Sequence, residues 1–203
     1  MSEIFKAIHN KYVFQRRIQV LSDEVAAVLN DTKSVLDIGC GDGTISKLSA
    51  EKKNSGVKFS GIDVMARPTC AIDFKLFDGY TIPHADNTFE ASMFIDVLHH
   101  LNHIKESIAE AKRVSSKYII IKDHLYKNVF DYETLKFMDW VGNKPHSVEV
   151  IFNFKKEEVW RNIFEELGLE VVTFNKSIPL YPFPFNILFG RDLHFVALLK
   201  VNK

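Results

Sequence analysis

Apolar residues recur at roughly helical spacing through residues 3–30, at Ile4, Ile8, Val13, Ile18, Leu21, Val25 and Leu29. They predict an N-terminal helical cap, and Ser22 with Asp23 could cap a second helix within it. The pattern then becomes that of short strands. "SVLDI" (34–38) is a β-prone run leading straight into three glycines, "TISKLSAEKK" (44–53) reads as a helix, and "VKFSGIDV" (57–64) as a second strand. A third strand is expected at "IDFKLFD" (72–78) and a fourth at "FEASMFIDV" (89–97), after the polar turn "PHADNT". "LNHIKESIAEAKRVS" (101–115) reads as a helix, and "KYIIIKDHL" (117–125) as a fifth strand with a nearly continuous apolar centre. Such a centre suits a strand covered on both faces. Strands alternating with helices argue for an α/β fold, a parallel sheet with helices on both sides.

The last third is less regular. "KKEEVWRNIFEELGL" (155–169) predicts a helix with Gly168 near its end as a C-terminal cap, and two closing strands follow at 170–178 and 192–201. Between them, "PLYPFPFNILFG" (179–190) is too rich in proline for a central strand. Its apolar residues suit a wall or lid for a greasy substrate or an exposed patch for a partner, but sheet-edge core is the better reading. Trp140 and Trp160 are expected in the core as well. No repeat or linker divides residues 1–203, so a single domain is expected.

Charge narrows the partners. Lysine plus arginine (26) equal aspartate plus glutamate (26), which gives no long-range pull toward nucleic acid or an anionic membrane. The two cysteines, Cys40 and Cys70, form no metal-binding spacing and no disulfide framework. With no signal-peptide pattern at the N-terminus and no transmembrane segment, a cytoplasmic protein is expected.

The candidate chemistry begins at Gly39, Gly41 and Gly43, which follow a strand and open a helix. In doubly wound sheets such a loop lies at the carboxyl end of the first strand, where ligands bind. Asp63 ends the second strand 20 residues after Gly43, the place for a carboxylate that accepts hydrogen bonds from ribose hydroxyls. Two details disfavour a dinucleotide. The glycines run G-x-G-x-G, with Thr44 at the expected third site, and Asp37 lies two residues before the loop. A carboxylate there repels a pyrophosphate and favours a cationic amine. S-adenosyl-L-methionine carries that amine, a sulfonium and a ribose, and no phosphate.

"VLDIGCGDG", "GIDV", "FDGYTIPHADNTFEASMFIDVLHHL" and "KYIIIKDHL" resemble, in order and spacing, the motifs of class I S-adenosylmethionine-dependent methyltransferases. The small-molecule, type-11-like branch, which includes quinone-biosynthesis-type enzymes, is the most similar. The likeness is close over 34–124, and "LKFMDWVGNKPHSV" (135–148) resembles a stretch of one bacterial branch. It implies a Rossmann-like, doubly wound seven-stranded sheet of order 3-2-1-4-5-7-6 with strand 7 antiparallel. It also implies S-adenosylmethionine as cofactor. Asp37, Gly39, Cys40, Gly41 and Gly43 would lie by its methionine portion, Asp63 by the ribose, Val64 and Met65 beside the adenine. Asp78 matches the acid that accepts from the adenine amino group, although bulky Phe77 precedes it where a small residue is common. Asp96 matches the segment lining the methyl-donor region.

His99, His100, Asp123 and His124 end strands four and five, where an acceptor would approach. His100 and His124, with Asp123, are the candidates for removing an acceptor's proton, against a structural reading in which they bond backbone. Tyr126 is a weaker candidate. His99 and His103, four apart, could share a helix face and bind a metal, but no third ligand stands at a recognisable spacing, so no metal is expected.

The expected function is therefore methyl transfer to a small-molecule acceptor, of apolar or aromatic character if 179–190 walls its site. The alternative is a non-catalytic adenosylmethionine-binding partner subunit or sensor on the same fold, and a nicotinamide-dependent oxidoreductase ranks third. Protein and nucleic-acid acceptors are disfavoured, because there is no basic arm and "IDVL" replaces an asparagine/aspartate-Pro-Pro-aromatic motif after strand four.

Overall fold

The computed structural model describes residues 14–29, 31–54, 56–143 and 151–202. The predicted helical cap before Phe14, and the end of the 135–148 stretch, lie outside the described residues. From Phe14 on the cap is one helix, α1 (Gln15–Val28), which buries Ile18, Leu21, Ser22 and Val25. Ser22 does not start a second helix: its hydroxyl turns back to the Ile18 carbonyl at 2.7 Å, four residues earlier.

Seven strands follow: β1 (Ser34–Ile38), β2 (Lys58–Asp63), β3 (Asp73–Leu76), β4 (Phe89–Ile95), β5 (Ser115–His124), β6 (Leu169–Asn175) and β7 (His194–Val201). The helices between them are α2 (Thr44–Lys53), α3 (Ile104–Val114), α4 (Val129–Asn143), α5 (Glu157–Glu166) and the short α6 (Phe185–Phe189). The sheet runs β3-β2-β1-β4-β5-β7-β6. β7 lies antiparallel to both neighbours while the other pairings are parallel. This is the order that the resemblance implied.

The central strands are buried almost throughout, and alternate residues along them enter two cores. Leu36, Phe94, Ile119, Ile121 and Phe195 pack with Ile108, Trp160 and Phe164 on one face of the sheet. Val35, Met93, Ile120, Val196 and Leu198 pack with Leu21, Val25 and Leu29 of α1 and its exit on the other. The unbroken apolar centre of β5 is thus divided between two buried layers, as its sequence requires.

Three expectations change. α4 is a helix that the chain's pattern had not marked. Trp140, on α4, is 49% exposed, whereas Trp160 is fully buried. The 179–190 segment is divided: Leu180 joins the core, but Phe183 (79% exposed), Phe185, Ile187 and Leu188 face outward. Gly168, at φ +63°, does end α5 as expected, its N–H bonding the Glu165 carbonyl at 2.8 Å. Among the described residues, no helix is long and apolar enough to cross a membrane.

Candidate active site

Parallel pairing puts the carboxyl ends of β1, β2, β4 and β5 on one edge of the sheet, with Ile38 beside Ile62 and Ile95 beside Lys122. The chain leaves β1 through Gly39, at φ +76°, whose N–H bonds the Ile62 carbonyl at 2.8 Å. A Cβ there would stand 2.6 Å from a Val97 methyl carbon, so both the backbone angle and the space demand glycine. Gly41, at φ +57°, has nothing within 4 Å of where a Cβ would be and borders open space.

That space is a cavity of about 450 Å³. The structure brings Gly39, Gly41, Asp63, Val64, Met65, Asp96 and His100 to its wall, together with Phe77, Phe94, Val97 and Leu101. Asp37, Cys40, Gly43, Asp78, Asp123 and His124 are not among the lining residues.

At one end, Asp63 accepts the Gly41 N–H through Oδ2 at 2.8 Å and the Met65 N–H through Oδ1 at 2.9 Å. Each oxygen keeps a lone pair for a further donor. Asp37 lies buried beneath the loop and takes the Ser46 hydroxyl at 2.6 Å. Burial pushes its pKa up to about 7, with the Asp63 charge adding and the Ser46 hydrogen bond opposing. Asp78 is exposed, and its Oδ1 receives the N–H groups of Tyr80 and Thr81, each at 2.8 Å. It serves as a turn-forming residue, the role aspartate has whenever its side chain bonds the backbone two or three residues on.

The other end is a network of buried charges. Asp96, in a left-handed conformation at φ +58°, pairs with Arg17 of α1 and with Lys122 of β5. Against the penalty of burial, Lys122 and then Arg17 hold its carboxyl well below the usual carboxylate range. Lys122 is 0% exposed and also meets His194 Nδ1 at 3.3 Å. Asp123, equally buried, takes His99 Nδ1 at 2.8 Å and the His124 N–H at 2.7 Å. Burial alone would lower the His99 pKa, but the Asp123 charge and hydrogen bond, with help from Asp139, raise it to about 10. His124 moves the other way, down to about 4, through burial and the charges of Lys122 and His99. Burial and then His99 lower the His100 pKa too, so its ring is neutral near pH 7. His100 Nδ1 is buried with no hydrogen-bond partner among the described residues.

Of the three base candidates, therefore, only His100 reaches the cavity. The Asp123 and His124 side chains turn to each other and to His99: Asp123 takes His99 Nδ1 at 2.8 Å, and His124 Nδ1 lies 3.2 Å from Asp123 Oδ1 and 3.3 Å from His99 Nδ1. The His99–His103 pairing, disfavoured from the sequence, does not form: His103 Nε2 meets the Gly79 carbonyl at 3.1 Å and its ring stacks on Tyr80. Tyr126 packs against Tyr132 in a separate small core. Sequence reasoning missed Arg17, Lys122, Asp139 and His194. Lys122 alone carried a signal, a lysine inside a run of strand residues buried on both faces, which must find an anionic partner.

Known proteins show what such a site belongs to. A family described as "Methyltransferase domain" matches residues 8–173, and the chain belongs to that family. Its cofactor, as the sequence led us to expect, is S-adenosyl-L-methionine. No curated protein matches the sequence. Among solved structures, a chain of the Haloferax volcanii complex containing the Trm112 methyltransferase activator superposes with a TM-score of 0.71 at 14% identity, covering 98% of this chain and 93% of that one. Magnesium protoporphyrin IX methyltransferase from Synechocystis PCC 6803, solved with bound SAH, gives 0.63 at 16%, again over 98% and 93%. The [4+2]-cyclase SpnF gives 0.62 at 14%, over 89% and 80%. At these identities the likeness is one of fold, and a cyclase among the neighbours shows that the fold alone does not dictate the reaction.

Proposed function

We propose that this chain is a cytoplasmic enzyme that moves a methyl group from S-adenosyl-L-methionine to a small-molecule acceptor. The observation that carries this reading is a single cavity walled by Asp63 and the glycine loop as well as by His100 and Asp96. Asp63, with a lone pair left on each oxygen, suits two ribose hydroxyls, and Val64, Met65 and Phe77 offer apolar surface to a flat base. Asp37 adds negative potential from beneath the loop, toward the cationic methionine portion. When bound, the cofactor supplies an electrophilic methyl group.

The protein's own contribution is placement and proton removal. Phe94, Val97 and Leu101 keep water from the reacting end, while Arg17 and Lys122 lock the Asp96 carboxylate in one orientation. Holding two reactants in line can contribute about 7–11 kcal/mol to the barrier reduction. For a hydroxyl or phenol acceptor, neutral His100, the one base candidate on the cavity wall, takes the proton. No residue of 179–190 is among those lining the cavity, so the support for an apolar or aromatic acceptor is the apolar wall itself, Phe77, Phe94, Val97 and Leu101. The free thiols of Cys40 and Cys70 suit a reducing compartment.

Calorimetry with S-adenosylmethionine, followed by mass-spectrometric detection of adenosylhomocysteine over a panel of phenols, quinols and amines, tests the proposal. Binding with turnover of at least one acceptor is the expected result. Binding without product from any acceptor or cell extract would favour the sensor reading, and absence of binding would end both.

A further inference from the structure

Two histidines and a carboxylate converge behind the cavity wall, and His99 and Asp139 have no part in the proposed methyl transfer. We infer that His99, His100 and Asp139 form a mononuclear site for a first-row divalent transition-metal ion. His99 Nε2 lies 3.5 Å and His100 Nε2 3.8 Å from Asp139 Oδ1. All three donor atoms fall within 4.8 Å of one another. Ligands placed tetrahedrally about zinc at ~2.1 Å stand roughly 3.4 Å apart, so closing onto an ion takes only small side-chain movements.

The surroundings support ligation. A metal-binding histidine characteristically donates its second ring N–H to a carboxylate, which fixes the tautomer and turns the other nitrogen to the ion. His99 does this through Nδ1 to Asp123 at 2.8 Å, and Asp123 is itself held by the His124 N–H; the ion would displace the proton on Nε2 to solvent as it binds. The ligands come from rigid supports, the single 3₁₀ turn Leu98–His100 and helix α4. Two imidazoles and one carboxylate suit zinc, cobalt or ferrous iron, whereas magnesium and calcium favour oxygen donors.

A competing trio, Asp96, His99 and His124, shares one residue with this site. It is the poorer host, because Arg17 and Lys122 already bring two positive charges to Asp96. Of the three proposed ligands, His100 alone lines the cavity, so the coordination position left by the protein opens toward the acceptor end. An ion on Nε2 leaves Nδ1 as the protonated ring nitrogen. The binding claim itself does not rest on methyl transfer and is read without cofactor or acceptor.

The test uses the full chain, stripped with a chelator and titrated with Co(II) by visible absorption and with Zn(II) by calorimetry. One equivalent should bind with micromolar or tighter affinity. Asp139→Asn should weaken binding about 100-fold and Asp123→Asn about 10- to 100-fold, while His124→Asn changes it by less than about 3-fold. Circular dichroism checks that each variant is folded. A second reading needs no variant: Zn(II) added to the unaltered protein should shift the ring-nitrogen resonances of two histidines. No saturable binding, or no histidine shift, would overturn the site. So would affinity unchanged in folded Asp139→Asn, or loss of binding in His124→Asn alone, which would move the ion to the Asp96 trio.

Discussion

The two ends of the cavity are built differently. The end at the glycine loop is mostly backbone: a left-handed turn at Gly39 and Gly41, and one carboxylate, Asp63, tied to that turn by N–H groups. The residues that shape it lie within about thirty positions of one another, in β1, β2 and their loops. The histidine end is nearly all side chain, assembled from α1 (Arg17), β4 and its exit (Asp96, His99, His100), β5 (Lys122, Asp123), α4 (Asp139) and β7 (His194). A shared ligand is served by short-range backbone geometry that many sequences can form. A particular acceptor demands charges brought together from distant segments.

This contrast makes separable predictions. The largest effect should be at the reacting end: His100→Gln is expected to lower kcat by about 10²- to 10⁴-fold for a hydroxyl acceptor. Its affinity for S-adenosylmethionine by calorimetry should stay near that of the unaltered protein, and a parallel loss of affinity would mean that the ends are not separate. Next, Asp63→Ala should weaken cofactor binding about 10- to 100-fold, the loss of charge-assisted hydrogen bonds worth ~1.5–3 kcal/mol. Unchanged affinity would remove Asp63 from the ribose.

Asp37 should show itself through pH. Its raised pKa means that the folded protein holds a proton which the unfolded chain releases. Its contribution to stability is therefore complete below about pH 4 and is lost as pH rises through about 7. A bound cation favours the ionised form, so cofactor affinity should tighten by up to about tenfold from pH 6 to pH 8. In Asp37→Asn both dependences should flatten, as thermal melts and calorimetry across that range would show. The smallest effect belongs to Asp78→Ala, exposed and outside the cavity wall, which should change cofactor affinity by about twofold or less. A tenfold loss there would support its assignment to the adenine.

The same contrast explains what the sequence made legible. Short apolar β-prone runs and a glycine turn are local signals, so strands β1 to β5 and the loop could be read from the chain itself, whereas the sheet order was implied only by the resemblance to class I methyltransferases. Helix α4 could not, because its face is mixed: Leu135 and Asp139 are buried while Phe137 and Trp140 are exposed, leaving no clean apolar stripe. Asp123 and His124 were expected at the acceptor because they end β5. Adjacent residues point to opposite sides of a strand, and whether either reaches a cavity depends on what packs above it. Here His99, Phe154 and His194 cover His124. Asp139 had no signal at all, since its partners lie some forty residues away.

The antiparallel strand β7 bears on how the molecule comes together. β6 pairs only with β7, and β7 also covers the flank of β5, where Ile119, Ile120 and Ile121 lie. Until residues 194–201 insert, β6 has no neighbour and β5 presents an open, apolar edge of the kind that invites pairing with other chains. Two of the seven strands must therefore wait for a segment distant in sequence from β5, a long-range closure that slows folding. His194 travels with that strand, so the charge network around Lys122 is completed by the same event that seals the sheet.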